Sequence, residues 1–335
     1  MQNHGNGIEG DEMKIEGKTI LVTGGAGFIG SHLVDSLISE NPKKIIVVDN
    51  MFLGKESNLR DAMNRFDELT LLKEDVADLI VMDEILKRSK TDLVYNLAVL
   101  PLPLSLENPK YCNDKNIEMV STLCELQRLG RFEKLIHFSS SEAYGTARYR
   151  PMDEKHPLGP STPYASSKAS GDLLVLSYHR TFKNNCAIIR PFNNYGPRQN
   201  EGSYAGIIPL IIHRILNGKP PIIYGDGFQS RDYIYATDTA RMAIEMGKND
   251  NLAGAVINIG SGKETNIITL VKTIMKYLNY TGEIIFEPER PGDVKRHIAN
   301  IYLAKDVLGF EQTVSFEEGM KKTVEWFVEN HKEMK

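Results

Sequence analysis

The 335-residue sequence has little of what marks membrane, secreted or metal-bound chains. No apolar run approaches the length of a membrane span, and a basic-then-apolar leader pattern is lacking, so neither a membrane partner nor export is expected. Its three cysteines, Cys112, Cys124 and Cys186, are odd in number and share no metal-ligand spacing. That excludes a disulfide framework and a cysteine metal site, and leaves free thiols in a reducing cytoplasm as the expectation. An excess of one charge is lacking too: 40 Lys and Arg against 44 Asp and Glu leave a net charge of −4, with both signs mixed. Nucleic acid is therefore not an expected partner. Internal repeats and low-complexity blocks are also missing.

What is present is a long alternation of strand-like and helix-like stretches. Strands are expected at 19–23, 44–49, 69–73, 93–97, 135–139 and 187–190, with helices at 31–40, 83–89, 115–129 and 164–182. Such alternation implies right-handed crossovers and a doubly wound parallel sheet of Rossmann type, an α/β fold whose ligands bind beyond the C-terminal strand ends. After Arg190 proline and glycine become frequent and the strands shorten. The expected organisation is a disordered tail over 1–14, a dinucleotide-binding domain over 15–190, and a smaller substrate-binding lobe over 191–335, interleaved with the first.

The first strand, Thr19-Ile20-Leu21-Val22-Thr23, runs into Gly24-Gly25-Ala26-Gly27-Phe28-Ile29-Gly30 and then a helix. A dinucleotide pyrophosphate needs this arrangement: a tight turn, glycines that let the backbone come close, and a helix N-terminus with unpaired N–H groups. The second strand ends on Asp49, at the distance from the turn expected of a carboxylate that bonds an adenine ribose 2′-hydroxyl. No arginine follows it, which favours NAD over NADP, although Lys55 lies nearby in sequence. Farther on, Tyr164 and Lys168 stand four residues apart and share one helix face. An ammonium near a phenol favours the phenolate, and so supplies a base for a sugar hydroxyl whose carbon gives up hydride. A serine from Ser139-Ser140-Ser141 can bond the same hydroxyl.

With these residues in view, the chain resembles the extended short-chain dehydrogenase/reductases, specifically the NAD-dependent nucleotide-sugar epimerases and dehydratases. The motifs run from Thr23–Gly30 through Val48-Asp49-Asn50, Asp75-Val76, Asn96-Leu97-Ala98, Ser139–Gly145 and Tyr164 with Lys168 to Arg190–Arg198, Gly227–Tyr233 and Arg290-Pro291-Gly292-Asp293. The resemblance implies a cofactor site built from Gly24, Gly27, Phe28, Ile29, Gly30, Asp49, Asn50, Asp75, Val76, Leu97, Ala98, Tyr164 and Lys168. Tyr164 would be the C4 acid/base, Lys168 would hold the nicotinamide ribose, and Ser140 would bind the reacting hydroxyl. Asn193 and Arg231 would hold the substrate diphosphate, with Arg290 and Asp293 at the nucleotide half. An ion pair with Asp232 is the plainer role for Arg231. No metal is implied, and a homodimer formed through 115–129 and 164–182 is.

Within the family the fate of the C4 ketone turns on the residues after the serine strand. Dehydratases carry an Asp-Glu pair there; this chain has Ser141-Glu142, so the proton-donating aspartate is missing. The main expectation is a UDP-sugar 4-epimerase. A UDP-glucuronate decarboxylase or 4,6-dehydratase working through Glu142 is the alternative, with a net 4-dehydrogenase or a non-catalytic NAD sensor behind it. Glu142 reads equally well as a solvated or helix-capping carboxylate. Val99-Leu100-Pro101-Leu102-Pro103-Leu104 reads either as an apolar wall beside the sugar or as a packed crossover. His156 is not expected to be catalytic.

Overall fold

The computed structural model describes residues 14–289 and 295–331. The tail over 1–13 and the site candidates Arg290 and Asp293 lie outside the described residues. In chain order the elements are β1 (Thr19–Thr23), α1 (Phe28–Ile38), β2 (Lys44–Val48), α2 (Arg60–Arg65), β3 (Leu69–Leu72), α3 (Leu79–Ser89), β4 (Leu93–Asn96), α4 (Leu102–Glu107), α5 (Pro109–Arg128), β5 (Lys134–Phe138), α6 (Pro163–Phe182) and β6 (Asn185–Pro191). There follow β7 (Asn193–Tyr195), α7 (Ile207–Leu216), β8 (Ile222–Tyr224), β9 (Ser230–Arg231), β10 (Tyr233–Tyr235), α8 (Ala236–Lys248), β11 (Val256–Ile259), β12 (Thr265–Asn266), α9 (Ile267–Tyr277), β13 (Ile285–Glu287), α10 (Tyr302–Leu308) and α11 (Phe316–Asn330). No helix among the described residues is long and apolar enough to cross a membrane.

Seven parallel strands form the main sheet in the order β11-β6-β5-β4-β1-β2-β3. The central strands are apolar on both faces because helices cover both. Ile20, Val22, Ile45 and Val47 pack on Leu33, Val34 and Leu37 of α1 and on Ala243 and Met246 of α8. Their neighbours Leu21, Ile46 and Val48 turn the other way, onto Met82 and Leu86 of α3, Val120 and Leu123 of α5, and Val175 of α6. Strand order reverses between β1 and β4, whose ends Thr23 and Asn96 stand side by side. A crevice is expected at that switch point. A separate apolar cluster joins α7, α9 and α11 around Tyr195, Tyr233 and Tyr235.

Three helices open earlier than hydrophobic spacing alone suggests, each for a local reason. Asp78 accepts from the amides of Ile80 and Val81 and starts α3, while Asn108 accepts from Tyr111 and starts α5, followed by Pro109. The α1 helix begins at Phe28, directly on Gly27, with no side chain capping it. The edge strand β11, from beyond Arg190, is not anticipated by the sequence reading. Only pairing with β6 places it in the sheet.

Candidate active site

An open cleft lies over the C-terminal ends of β1, β2 and β4. Every residue named above as a cofactor contact lines it, from Gly24 at one side to Tyr164 and Lys168 at the other. Packing explains two of the glycines. A Cβ on Gly30 would stand 2.2 Å from the Gly24 carbonyl oxygen, and one on Gly24, at φ +65°, only 2.8 Å from the Ala98 amide nitrogen. The turn therefore closes tightly on α1 and on the β4 end, and leaves the uncapped amides of the α1 N-terminus facing the cleft.

Asp49 is buried and braces this turn. Its carboxylate accepts from the Ala26 amide at 3.0 Å and the Met51 amide at 2.9 Å, while burial raises its pKa. Asp75 accepts from the Ala77 amide at 2.9 Å and lies 3.7 Å from the Lys115 ammonium. Sequence reasoning missed Lys115, Tyr111 and Met119 on α5, Phe52 after β2, and Asn200 from the C-terminal half, all of which line the cleft. They come from helix flanks and loops, where residue type carries little signal. The cleft shape and these glycines suit a dinucleotide.

At the inner end, Thr162 caps α6 through the Ala165 amide and Pro163 follows, which sets Tyr164 at the helix start. Lys168 is buried one turn on and donates to the Phe138 carbonyl at 2.7 Å. Ser140 hydrogen-bonds the Tyr164 phenol and also accepts from the Glu142 amide at 3.2 Å. Ser139 lines the cleft, with its hydroxyl committed to Asp172 at 2.7 Å. Ser141 is buried inside a short 3₁₀ turn, Ser141–Tyr144, and Glu142 is half-buried beside the phenol.

The electrostatics differ from the simple Tyr–Lys expectation. Burial pushes the Tyr164 phenol up, the Glu142 charge pushes it further, and the Ser140 hydroxyl opposes both. Burial in turn lowers Lys168 to about 8, against the pull of Asp172. Desolvation and the Glu142 charge outweigh the help of the Ser140 hydroxyl, so the phenol pKa stands above its ordinary value.

Asn193 sits on β7, its amide donating to the Asp232 carbonyl at 3.0 Å. Arg231 sits on β9 and donates to the Ser230 carbonyl at 3.0 Å. Asp232 is committed elsewhere: its carboxylate accepts from the Ser261 amide and hydroxyl, the Gly262 amide and the Ala299 amide. The apolar stretch divides. Val99 and Leu100 line the cleft, whereas Leu104, within α4, packs inward with Leu100, Cys112 and Tyr204. His156 is a structural residue that accepts from the Arg148 amide and packs on Tyr144 and Tyr149.

The chain matches the GDP-mannose 4,6-dehydratase family model over residues 21–323. Among solved structures it is similar to a UDP-N-acetylglucosamine 4-epimerase from Methanobrevibacter ruminantium in complex with UDP-N-acetylmuramic acid. They share 38% identity over 94% of this chain and 99% of that one, with a TM-score of 0.86. A UDP-glucose 4-epimerase from Thermotoga maritima with UDP-glucose is 34% identical over 93% and 99%, with a TM-score of 0.87. A dTDP-glucose 4,6-dehydratase from Streptomyces venezuelae, with NAD bound, is 29% identical over 94% and 98%, also with a TM-score of 0.87. The chain belongs to the extended short-chain dehydrogenase/reductase family of nucleotide-sugar epimerases and dehydratases. It is an enzyme of that NAD-dependent class.

Proposed function

We propose that this enzyme is a UDP-sugar 4-epimerase working through transient oxidation of the C4 hydroxyl. The observation that carries the reading is Ser141 at the position where elimination needs a proton donor, beside an otherwise complete Ser140–Tyr164–Lys168 set. A buried hydroxyl is a poor acid for expelling a C6 hydroxyl, so returning the ketone to an alcohol is the open route. The UDP-sugar 4-epimerases named above among the similar structures support it.

NAD, when bound, supplies a hydride acceptor that is regenerated within each turnover. The turn from Gly24 to Gly30 would hold its pyrophosphate, Asp49 and Asn50 the adenine ribose, Asp75 and Val76 the adenine, with Leu97 and Ala98 forming the wall toward Lys168. Tyr164 takes the proton of the C4 hydroxyl and later returns it, while Ser140 holds the same oxygen. The Lys168 ammonium offsets the negative charge that develops on the phenol. Asn193 and Arg231, with Arg290 and Asp293, hold the nucleoside diphosphate, whose remote binding energy positions the sugar. Residues 15–190 thus serve mainly the cofactor, with Asn200 joining them, and the interleaved lobe over 191–335 serves the sugar nucleotide. We place the enzyme in the cytoplasm as a homodimer joined through α5 and α6, whose outer faces leave Leu129, Leu173 and Phe182 exposed.

Glu142 beside Tyr164 favours one second reading, in which it takes the C5 proton of the ketone and the product is dehydrated or decarboxylated. One experiment separates them: incubation with UDP-glucose, UDP-N-acetylglucosamine and UDP-glucuronate, with products read by mass and by NMR. Unchanged mass with inverted C4 is expected. Loss of water or of carbon dioxide overturns the epimerase reading in favour of Glu142 chemistry.

A further inference from the structure

One helical turn beyond Lys168, on the same face of α6, lies Asp172, fully buried. Its Oδ2 accepts from the Ser139 hydroxyl at 2.7 Å and from Arg190 at 2.5 Å. Its Oδ1 faces His137 Nε2 at 3.8 Å, and neither atom has a hydrogen-bond partner among the described residues.

The polarity of the groups leading to this point is forced. Thr23 Oγ1 accepts from the Leu97 and Ala98 amides, each at 3.1 Å, so its own proton goes to Asn96 Oδ1 at 2.7 Å. The Asn96 amide therefore presents its NH₂ to His137 Nδ1 at 3.1 Å. A neutral His137 must then carry its proton on Nε2, aimed at Asp172. Burial and the charges of Lys168 and Arg190 do hold this imidazole neutral. Every link from the cleft wall at Leu97 and Ala98 donates toward the same carboxylate. Such a directional network stabilises a buried anion that would otherwise be costly to keep.

We propose that Asp172 is a positioning residue for Lys168: a buried carboxylate, fixed one helical turn away on the same face of α6, that holds the lysine ammonium against the Phe138 carbonyl. The proposal rests on the roles of Tyr164 and Lys168 given above. The lysine is buried, and the charge of this aspartate opposes the lowering caused by desolvation. The other charged and titratable groups around the pair are His137 on β5, Arg190 on β6 and Tyr144, whose ring lies 4.4 Å beneath the Arg190 guanidinium. At the Tyr164 end stand Glu142 and the Cys112 thiol of α5. None of these is an anion placed to substitute for Asp172 under the ammonium.

The test is the titration of Lys168 in the full-length enzyme, followed by ¹⁵Nζ NMR with the signal assigned by Lys168→Met, alongside the pH profile of kcat. Asp172→Asn should lower the lysine midpoint by about 1 to 3 pH units, and the alkaline limb of kcat should move down with it. KM for the sugar nucleotide should move little. Should Asp172→Asn not fold, Asp172→Asn with Arg190→Gln removes the buried anion and cation together, and a smaller downward move is expected, because losing the Arg190 cation offsets part of the effect. A midpoint and an alkaline limb that stay in place, with kcat reduced equally at every pH, mean a merely structural aspartate and overturn the proposal. The NMR midpoint needs no turnover, so an inactive wild-type enzyme would overturn the epimerase reading while leaving this test intact.

Discussion

Lys168 donates to the main-chain carbonyl of Phe138 at 2.7 Å, which ties the second turn of α6 to the end of β5 and brings the ammonium to the inner end of the cleft. That bond fixes the lysine but does not neutralise it. A buried ammonium with a folded pKa of about 8 binds its proton less tightly than the unfolded chain does at 10.5. The penalty is therefore present below pH 8 and disappears as pH rises through 8 to above 10.5. It is on the order of 3 kcal/mol.

Lys168→Met should accordingly raise Tm at pH 7, with the gain shrinking toward zero above pH 10, while kcat falls about 10²- to 10⁴-fold. Thermal unfolding across pH and steady-state kinetics check the two halves. A Tm lowered at neutral pH would mean that the Phe138 bond outweighs the desolvation of the charge. Tyr164→Phe should lose a similar factor in kcat, with NAD still bound.

Glu142 raises the Tyr164 phenol by like-charge repulsion. Replacing it with glutamine removes that charge, so the phenolate forms at lower pH and the acid limb of kcat should move down. If C4 is simply re-reduced, Glu142→Gln remains a working epimerase with a shifted profile. Complete loss of turnover, measured with the same substrate, would place the carboxylate in C5 proton transfer.

Gly30→Ala sets a methyl 2.2 Å from the Gly24 carbonyl oxygen, against backbone rather than a flexible side chain. The turn must open, at about 1 to 3 kcal/mol. Both Tm and NAD affinity should fall, the affinity by about tenfold or more. Calorimetric titration with NAD measures it.

Asp49→Ala removes the acceptor for the buried Ala26 amide and for Met51. A buried donor left without a partner costs about 1 to 3 kcal/mol. The loss should therefore appear in Tm even without cofactor, and a larger loss should appear in NAD affinity. For the same reason Asp49→Arg will not convert the enzyme cleanly to NADP, because the carboxylate supports the turn as well as facing the cleft.

The parts of the cleft that could be named from sequence are local ones. Thr19–Thr23 is a strand by its own β-branched, apolar composition, and the glycines and Asp49 follow it at short, fixed spacing. Helix starts were less legible, since α3 and α5 are set by single caps at Asp78 and Asn108. Lys115 and Asn200 could not be read at all, because one is a helix flank and the other arrives from the second half of the chain.

By itself the sequence determined the parallel α/β order, the glycine turn and the placing of Tyr164 and Lys168 one turn apart on a helix, because each depends on residues close together in the chain. Tertiary structure alone decided that β11 closes the sheet edge, that Asp232 turns from Arg231 toward Ser261 and Ala299, and that the donors from Thr23 through Asn96 and His137 all point at Asp172. Those groups lie scores of residues apart. Only the packing of strands side by side, with a helix across them, brings their dipoles into one line and removes the water that would otherwise screen them.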